Sequence, residues 1–244
     1  MLVLASNSPR RRQLLEVSGW KFVVHPAPVD ENYLPGEPPD VYVLRLAEMK
    51  ARAALDGWGS RYLSGALFLG ADTTVAVDGE ILGKPGCADE AGRMLRRLRG
   101  RSHQVFTALA ILSPTESTCW MDVCVSQVTM RSYGDDEIAC YVDSGDPLDK
   151  AGAYAIQHTG FRPVASVDGC YANVVGLPIC HLGRLLQALD ITTPMAPWQA
   201  CREATGSPCE VYQRVLAEGN TQFRYDPRDA LADWKPPFGS MPPD

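Results

Sequence analysis

The sequence predicts an α/β protein built on a mixed, twisted sheet with flanking helices. Strand-like and helix-like apolar patterns alternate along the 244 residues, without the strict regularity of an all-parallel βαβ sheet. The length is ample for a buried core, and the hydrophobic (45%) and charged (21%) fractions are those of an ordinary globular chain.

The elements follow in order. Leu2–Leu4 reads as a short buried strand, followed by a turn. Ser8 and Pro9 then mark a helix start, because serine accepts a bond from a free first-turn amide and proline loses nothing there by lacking an N–H. Leu14, Leu15 and Val17 give that helix an apolar face, and Gly19 suits its end. Phe22–His25 reads as a strand leading into the loop PAPVDENYLPGEPPD. Asp40 is placed to cap a long helix running to about Leu55, ended by Gly57. ALFLGADTTVAVDGEILGKP reads as a buried strand, a polar interruption, a second strand and an Asp78-Gly79 hairpin. A helix from near Asp89 to Leu98 follows, then strands at 103–112 and Val123–Arg131 and a short helix in DDEIACYVDSG. DKAGAYAIQ reads as a loop entering a strand. A further strand lies near Val164–Val167, then a turn at Asp168-Gly169 and the helix LPICHLGRLLQALD.

Residues 1–190 contain no repeat or low-complexity tract and are expected to form one domain. From Ile191 the chain becomes rich in proline. Residues 191–244 read as a C-terminal extension, partly extended or disordered, with a short helix around Pro208–Gly219. Trp198 and Trp234 are costly to leave fully exposed, which favours docking of this extension on something.

Charge and cysteine usage narrow the partners. The net charge is 23 − 29 = −6, which disfavours nonspecific nucleic-acid binding. No segment has the length of a membrane span or the apolar core of a signal peptide. The eight cysteines are scattered, form no C-x-x-C pair and lie apart from the four histidines. That pattern predicts reduced thiols in a cytoplasmic protein rather than a zinc site or disulfide scaffold.

A local basic site in an acidic chain points to a small anion. ASNSPRRRQLLE puts Arg10, Arg11 and Arg12 at a helix start, where the macrodipole is already positive and cations are unfavourable. Free amides, the Ser6 and Ser8 hydroxyls and the arginine forks either converge on a phosphate or form a solvated basic turn. At 100° per residue, Lys50 shares a helical arc with Val43, Leu46, Ala47 and Ala54, while Arg45, Glu48 and Arg52 occupy the more polar arc. Such a lysine snorkels to the rim or answers an anion in a cleft. Asp72 follows a buried strand, which puts a carboxylate at a strand end, where open α/β sheets bind ligands. It suits a metal ligand, a base for water, or a turn. Lys84 is the lone charge in ILGKP, and fits a phosphate contact or plain exposure. Gln157 offers a donor and an acceptor, as a nucleobase edge requires, and equally fits an ordinary strand glutamine. Glu31 is a candidate metal ligand from the acidic loop. There is no P-loop, dinucleotide fingerprint or G-x-S-x-G elbow, and His25, His103 and His181 sit where a structural role is expected.

Together, ASNSPRR, RLAEMKA, LGADTTVAVDGEILGKP, DKAGAYAIQ and GCYANVVGLP resemble, in order and approximate spacing, the Maf proteins, which are nucleoside triphosphate pyrophosphatases. The resemblance covers roughly residues 2–189. It implies an inosine-triphosphatase-like fold with two lobes around a deep cleft. It also implies cleavage of a nucleoside triphosphate to monophosphate and pyrophosphate with a divalent cation, magnesium or manganese. Ser6, Ser8, Arg10 and Arg11 then grip phosphates, Lys50 and Lys84 neutralise the triphosphate, and Asp72 matches the proton acceptor, a position from which it could also help to hold the metal. The GAYxIQ pattern looks like the branch acting on dTTP and UTP, with Arg10, Thr73 and Gln157 at positions linked to substrate choice. The branch acting on 7-methylguanosine triphosphate has a glutamate where Gln157 stands. HTG after Gln157 departs from the family pattern, and residues beyond about 191 lie outside the resemblance. A homodimer is also implied. The competing readings are a nucleotide-binding regulator of cell division with little turnover, or a house-cleaning enzyme preferring purine or 7-methylguanosine triphosphates.

Overall fold

The apolar run Leu2–Leu4 forms the first strand (β1), buried along its whole length. It pairs in parallel with β2 (Phe22–Val24) on one side and with β3 (Leu67–Val77) on the other. The computed structural model describes residues 1–59, 65–114, 119–206, 209, 211–217 and 223–225. In this region β4 (Glu80–Leu82), β5 (Ser102–Leu112), β6 (Cys119–Met130) and β7 (Val164–Asp168) continue the sheet in antiparallel fashion. The order is β2-β1-β3-β5-β6-β7, with β4 added to β3 and β8 (Phe223–Tyr225) added to β6, giving an eight-stranded mixed sheet. The β3–β4 link has both central residues at positive φ, Asp78 at 53° and Gly79 at 75°, as the Asp-Gly dipeptide predicts for a tight hairpin.

Helices cover both faces. On one, α2 (Pro39–Trp58) packs Val43, Leu44, Ala47 and Ala51 against Val3, Phe68, Ala108 and Ala110. On the other, α1 (Pro9–Val17) and α6 (Ile179–Ala188) pack Leu14, Leu15, Leu182 and Leu185 against Leu4, Leu69, Leu109 and Ile111. At the far end, α3 (Ala88–Leu98) and α4 (Asp135–Asp143) enclose Val75, Val105 and Val128. His103 is buried there, 2.8 Å from the Tyr154 hydroxyl, and burial lowers its pKa to about 4, so it stays neutral. His181 in α6 is buried and neutral in the same way, and His25 packs edge-on against Trp58.

Several sequence expectations are corrected. The polar run Asp72-Thr73-Thr74 does not interrupt a strand. β3 is one continuous strand, because β5 pairs with it from Phe68 through Ala76. Asp72 is therefore mid-strand rather than at a strand end. Asp40 does not cap α2: Pro38 holds that position, and Asp40 lies in the first turn, where its carboxylate faces the positive helix end. Gly59, with φ 78°, ends the helix in place of Gly57. Glu48, on the more polar arc of α2, is buried and bonded to Arg52 at 2.7 Å. DKAGAYAIQ enters no strand. Its first residue ends one 3-10 turn (Asp146–Asp149), Ala151–Ala153 form a second, and a turn follows at 156–157. Gly152 at φ 69° breaks any extended run, and Lys150 folds back onto the Asp146 carbonyl and the Asp149 carboxylate.

The described part of the extension packs on this core. In α7 (Pro197–Thr205), Ala200 and Cys201 are buried in the cluster that holds Leu14 and Leu185. Arg184 of α6 bonds Asp122 of β6 at 2.6 Å and the Val215 carbonyl of α8 (Tyr212–Ala217) at 3.1 Å. Trp198 lies against Tyr212, 5.6 Å between ring centroids. The reading of Trp234 and WKPPFGSMPPD falls outside the described residues. Truncation after Asp190 is expected to cost on the order of 3 kcal/mol, a drop of several degrees in Tm by calorimetry, because it strips cover from α1 and α6. An unchanged Tm would contradict this packing. All eight cysteines are free, and no described helix is long and apolar enough to cross a membrane.

Candidate active site

The site arises where β3 loses its neighbour. β1 stops pairing at Leu4–Leu69, and β4 begins only at Val75. Between them, Gly70–Thr74 keep β5 on one side and leave the other edge open. With side chains alternating across a strand, Gly70 and Asp72 face α2 while Ala71 and Thr73 face α1. At an open edge both faces border one cavity, of about 790 Å³. Its lining includes Ser6, Ser8, Arg10, Arg11, Glu31, Lys50, Asp72, Thr73, Lys84 and Gln157, so the fold brings all ten sequence-predicted residues together.

On the α2 side, Lys50 Nζ sits 2.6 Å from Asp72 Oδ1 and 2.6 Å from Glu31 Oε1. Lys84, more than half exposed, approaches Glu31 Oε2 at 3.4 Å. Two residues before Asp72 on the same face, Gly70 lets this happen: a Cβ there would lie 1.9 Å from the Ala47 carbonyl oxygen of α2. Sequence reasoning missed Gly70. An isolated glycine in the strand-like run LFLGA was the available signal for close backbone approach.

On the α1 side, Ser8 begins the helix as expected, its Oγ accepting from Arg11 N at 3.5 Å. The Arg11 guanidinium donates from Nε to the Gly176 carbonyl (2.9 Å), from Nη1 to Ser6 Oγ (3.2 Å) and from Nη2 to Thr73 Oγ1 (3.0 Å). Gly176 closes α5 (Tyr171–Val175), a short helix that the sequence reading left out. Arg10 borders the cavity with no ion-pair partner among the described residues. Gln157 is exposed at its rim.

The electrostatics are polarised. Burial raises the Asp72 pKa, outweighing Lys50 and Arg11, which act to lower it. Burial pushes the Glu31 carboxyl the same way, but Lys50 and Lys84 overcome it and hold Glu31 below the usual range. Arg11 is lowered by burial, against the pull of Asp72 and Glu31. Tyr42, which donates to the Glu31 carbonyl at 3.0 Å, is pushed up to about 12 by burial and by those two carboxylates. The cavity thus holds a carboxylate of raised basicity beside cations able to receive several anionic oxygens.

A family profile described as Maf-like protein matches residues 1–189, most of the chain. The chain belongs to that family. It is 47% identical over 195 residues to a dTTP/UTP pyrophosphatase of Anaeromyxobacter dehalogenans, spanning 79% of this chain and 96% of the relative. Proteins of the same description from a Geobacter species (46% over 188 residues; 77% and 95%) and Myxococcus xanthus (46% over 200 residues; 82% and 96%) are similarly close. The family match ends in the segment that joins α6 to α7, so α7 and α8 lie beyond it.

Proposed function

We propose that this protein hydrolyses dTTP and UTP to the nucleoside monophosphate and pyrophosphate. The observation that carries the reading is a buried carboxylate, Asp72, in a nucleotide-sized cavity that also presents Arg10, Arg11, Lys50 and Lys84. A triphosphate brings about four negative charges, and catalysis of its cleavage rests on positioning and on neutralising charge along its oxygens. Relatives with nearly full-length matches carry the dTTP/UTP pyrophosphatase name.

In this reading Ser6, Ser8, Arg10 and Arg11 hold phosphates from the α1 side, and Lys50 and Lys84 do so from the α2 side. Asp72 accepts the proton of the attacking water. The water oxygen bonds to phosphorus as the α–β anhydride bond breaks, and pyrophosphate leaves with the electron pair. Gln157 at the rim reads the imide edge of uracil or thymine, with Arg10 and Thr73 contributing to the choice. The enzyme has an inosine-triphosphatase-like fold whose two lobes enclose the nucleotide. Residues 1–190 form the catalytic domain, residues 191–244 are an extension, and the protein works in the cytoplasm.

A divalent cation, magnesium or manganese, fits this site. Asp72 and Glu31 converge on Lys50 Nζ and so already surround a positive charge with carboxylate oxygens. Among the described residues no group of three or more His, Cys, Asp or Glu is arranged to hold a metal. Two carboxylates completed by substrate phosphates and water is the arrangement magnesium favours. Bound there, the cation would neutralise phosphate charge.

The test is pyrophosphate release from UTP, dTTP, CTP, ITP and 7-methylguanosine triphosphate, with magnesium or manganese and with a chelator. Metal-dependent release led by UTP and dTTP is expected. A lead by ITP or 7-methylguanosine triphosphate would overturn the pyrimidine assignment. Binding without release from any of them would make the protein a regulator.

A further inference from the structure

Behind the cavity wall, a hydrogen-bonded chain runs from Arg11 into the core. Arg11 Nη2 lies 3.0 Å from Thr73 Oγ1, Thr73 Oγ1 2.9 Å from Thr107 Oγ1, and Thr107 Oγ1 2.9 Å from the Asn173 carbonyl oxygen. The two ends fix its direction, since a guanidinium only donates and a carbonyl only accepts. Thr107 therefore gives its single hydroxyl proton to Asn173, and must accept the bond from Thr73. Thr73 in turn gives its proton to Thr107 and accepts from Arg11. Both hydroxyl protons are committed.

The far end of the chain is anchored. The Asn173 side chain is fully buried, donating to the Val105 carbonyl at 2.9 Å and to Ser126 Oγ at 2.8 Å. The Asn173 backbone carbonyl, which takes the Thr107 proton, also accepts from Gly176 N at 2.9 Å, and Gly176 returns its own carbonyl to Arg11 Nε. The bonds thus close a ring through Arg11, Thr73, Thr107, Asn173 and Gly176. Three of the five guanidinium N–H groups are spent on Gly176, Ser6 and Thr73. The remaining two, one on each terminal nitrogen, are left for a phosphate.

We propose that Thr107, fully buried and absent from the cavity lining, is a positioning residue for this reaction, acting through Thr73 on Arg11. This rests on the pyrophosphatase reading above. Without the Thr107 hydroxyl, the Thr73 proton loses its acceptor and is free to turn towards the guanidinium, setting donor against donor. Arg11 then loses one of its three anchors and the aim of its two spare donors. Because Arg11 grips phosphate in both ground and transition states, the loss falls mainly on KM.

The experiment compares wild type with Thr107→Val and Thr107→Ser by steady-state pyrophosphate release from UTP, alongside thermal melts. Expected is a KM raised about tenfold in Thr107→Val with kcat within about twofold, and a near-normal KM in Thr107→Ser. In a double-mutant cycle, Thr73→Val combined with Thr107→Val should lose no more than Thr73→Val alone. A wild-type KM in Thr107→Val, an equal loss in Thr107→Ser, or additive losses in the cycle would each overturn the proposal. Should the valine variant not fold, Thr107→Cys, a weak donor of similar size, is expected to raise KM severalfold, and an unchanged KM there would overturn it too. If wild type binds UTP without turnover, the pyrophosphatase reading fails by itself. The relay is then tested by the UTP Kd of the same variants: a tenfold weakening in Thr107→Val supports it, and an unchanged Kd overturns it.

Discussion

Asp72→Asn is expected to cut pyrophosphate release by about 10³-fold while leaving UTP binding intact, because the amide keeps the shape but accepts no proton. Binding by calorimetry should be unchanged or tighter, since a negative charge disappears from between Lys50 and Arg11. The raised pKa adds two checks. Turnover in wild type should fall on the acid side as Asp72 protonates, with a midpoint above the ordinary 3.8. For stability the sign is the reverse of the usual carboxylate case. A group with a raised folded pKa contributes stability that is full below its unfolded pKa and lost as pH rises through the folded one. Above its raised folded pKa the ionised, buried Asp72 is therefore a cost, and there the asparagine variant should melt no lower than wild type. Turnover retained in Asp72→Asn would remove Asp72 as the base.

Gly70→Ala should have the largest effect on the fold itself. The added methyl would lie 1.9 Å from the Ala47 carbonyl oxygen, 2.9 Å from Ala51 N and 3.0 Å from Ala47 C, all backbone atoms of α2. No side-chain rotamer relieves that clash, so the helix must retreat from the strand. We expect a loss of about 3 kcal/mol, at the upper end for overpacking, seen as a lower denaturant midpoint at constant m. Lys50 lies between Ala47 and Ala51 in sequence and moves with them, away from Asp72 on the strand. At temperatures where the variant remains folded, kcat/KM should therefore still fall at least about tenfold. A variant as stable and active as wild type would show that the strand–helix approach is looser than described.

What the sequence made legible was local. The Ser8-Pro9 helix start, the Asp78-Gly79 hairpin and the arc that puts Lys50 beside Val43 and Ala47 each rest on one residue's backbone or side-chain preference. What it hid depended on partners distant in the chain. Asp72-Thr73-Thr74 looked like a break because three polar residues seldom share a buried strand. They do so here because β1 ends early and opens an edge onto a polar cavity, a fact of sheet topology. DKAGAYAIQ has the alternation of a strand, yet the positive φ of Gly152, packed against Val75, turns the chain instead. Thr107 sits in an apolar strand with nothing local to mark it; its role appears only once β5 lies beside β3 and α5 packs on β5. Ten residues of the cavity wall were nameable from their types, whereas Asp146, Asp149, Lys150 and His158 in the same wall, and the glycine, threonine and asparagine behind it, were not.

The most direct measurement of the central claim is product analysis of UTP incubated with the full chain and magnesium. The account predicts UMP and pyrophosphate in equal amounts, with none formed when a chelator is present. UDP and inorganic phosphate would place the cleavage at the wrong anhydride and contradict it.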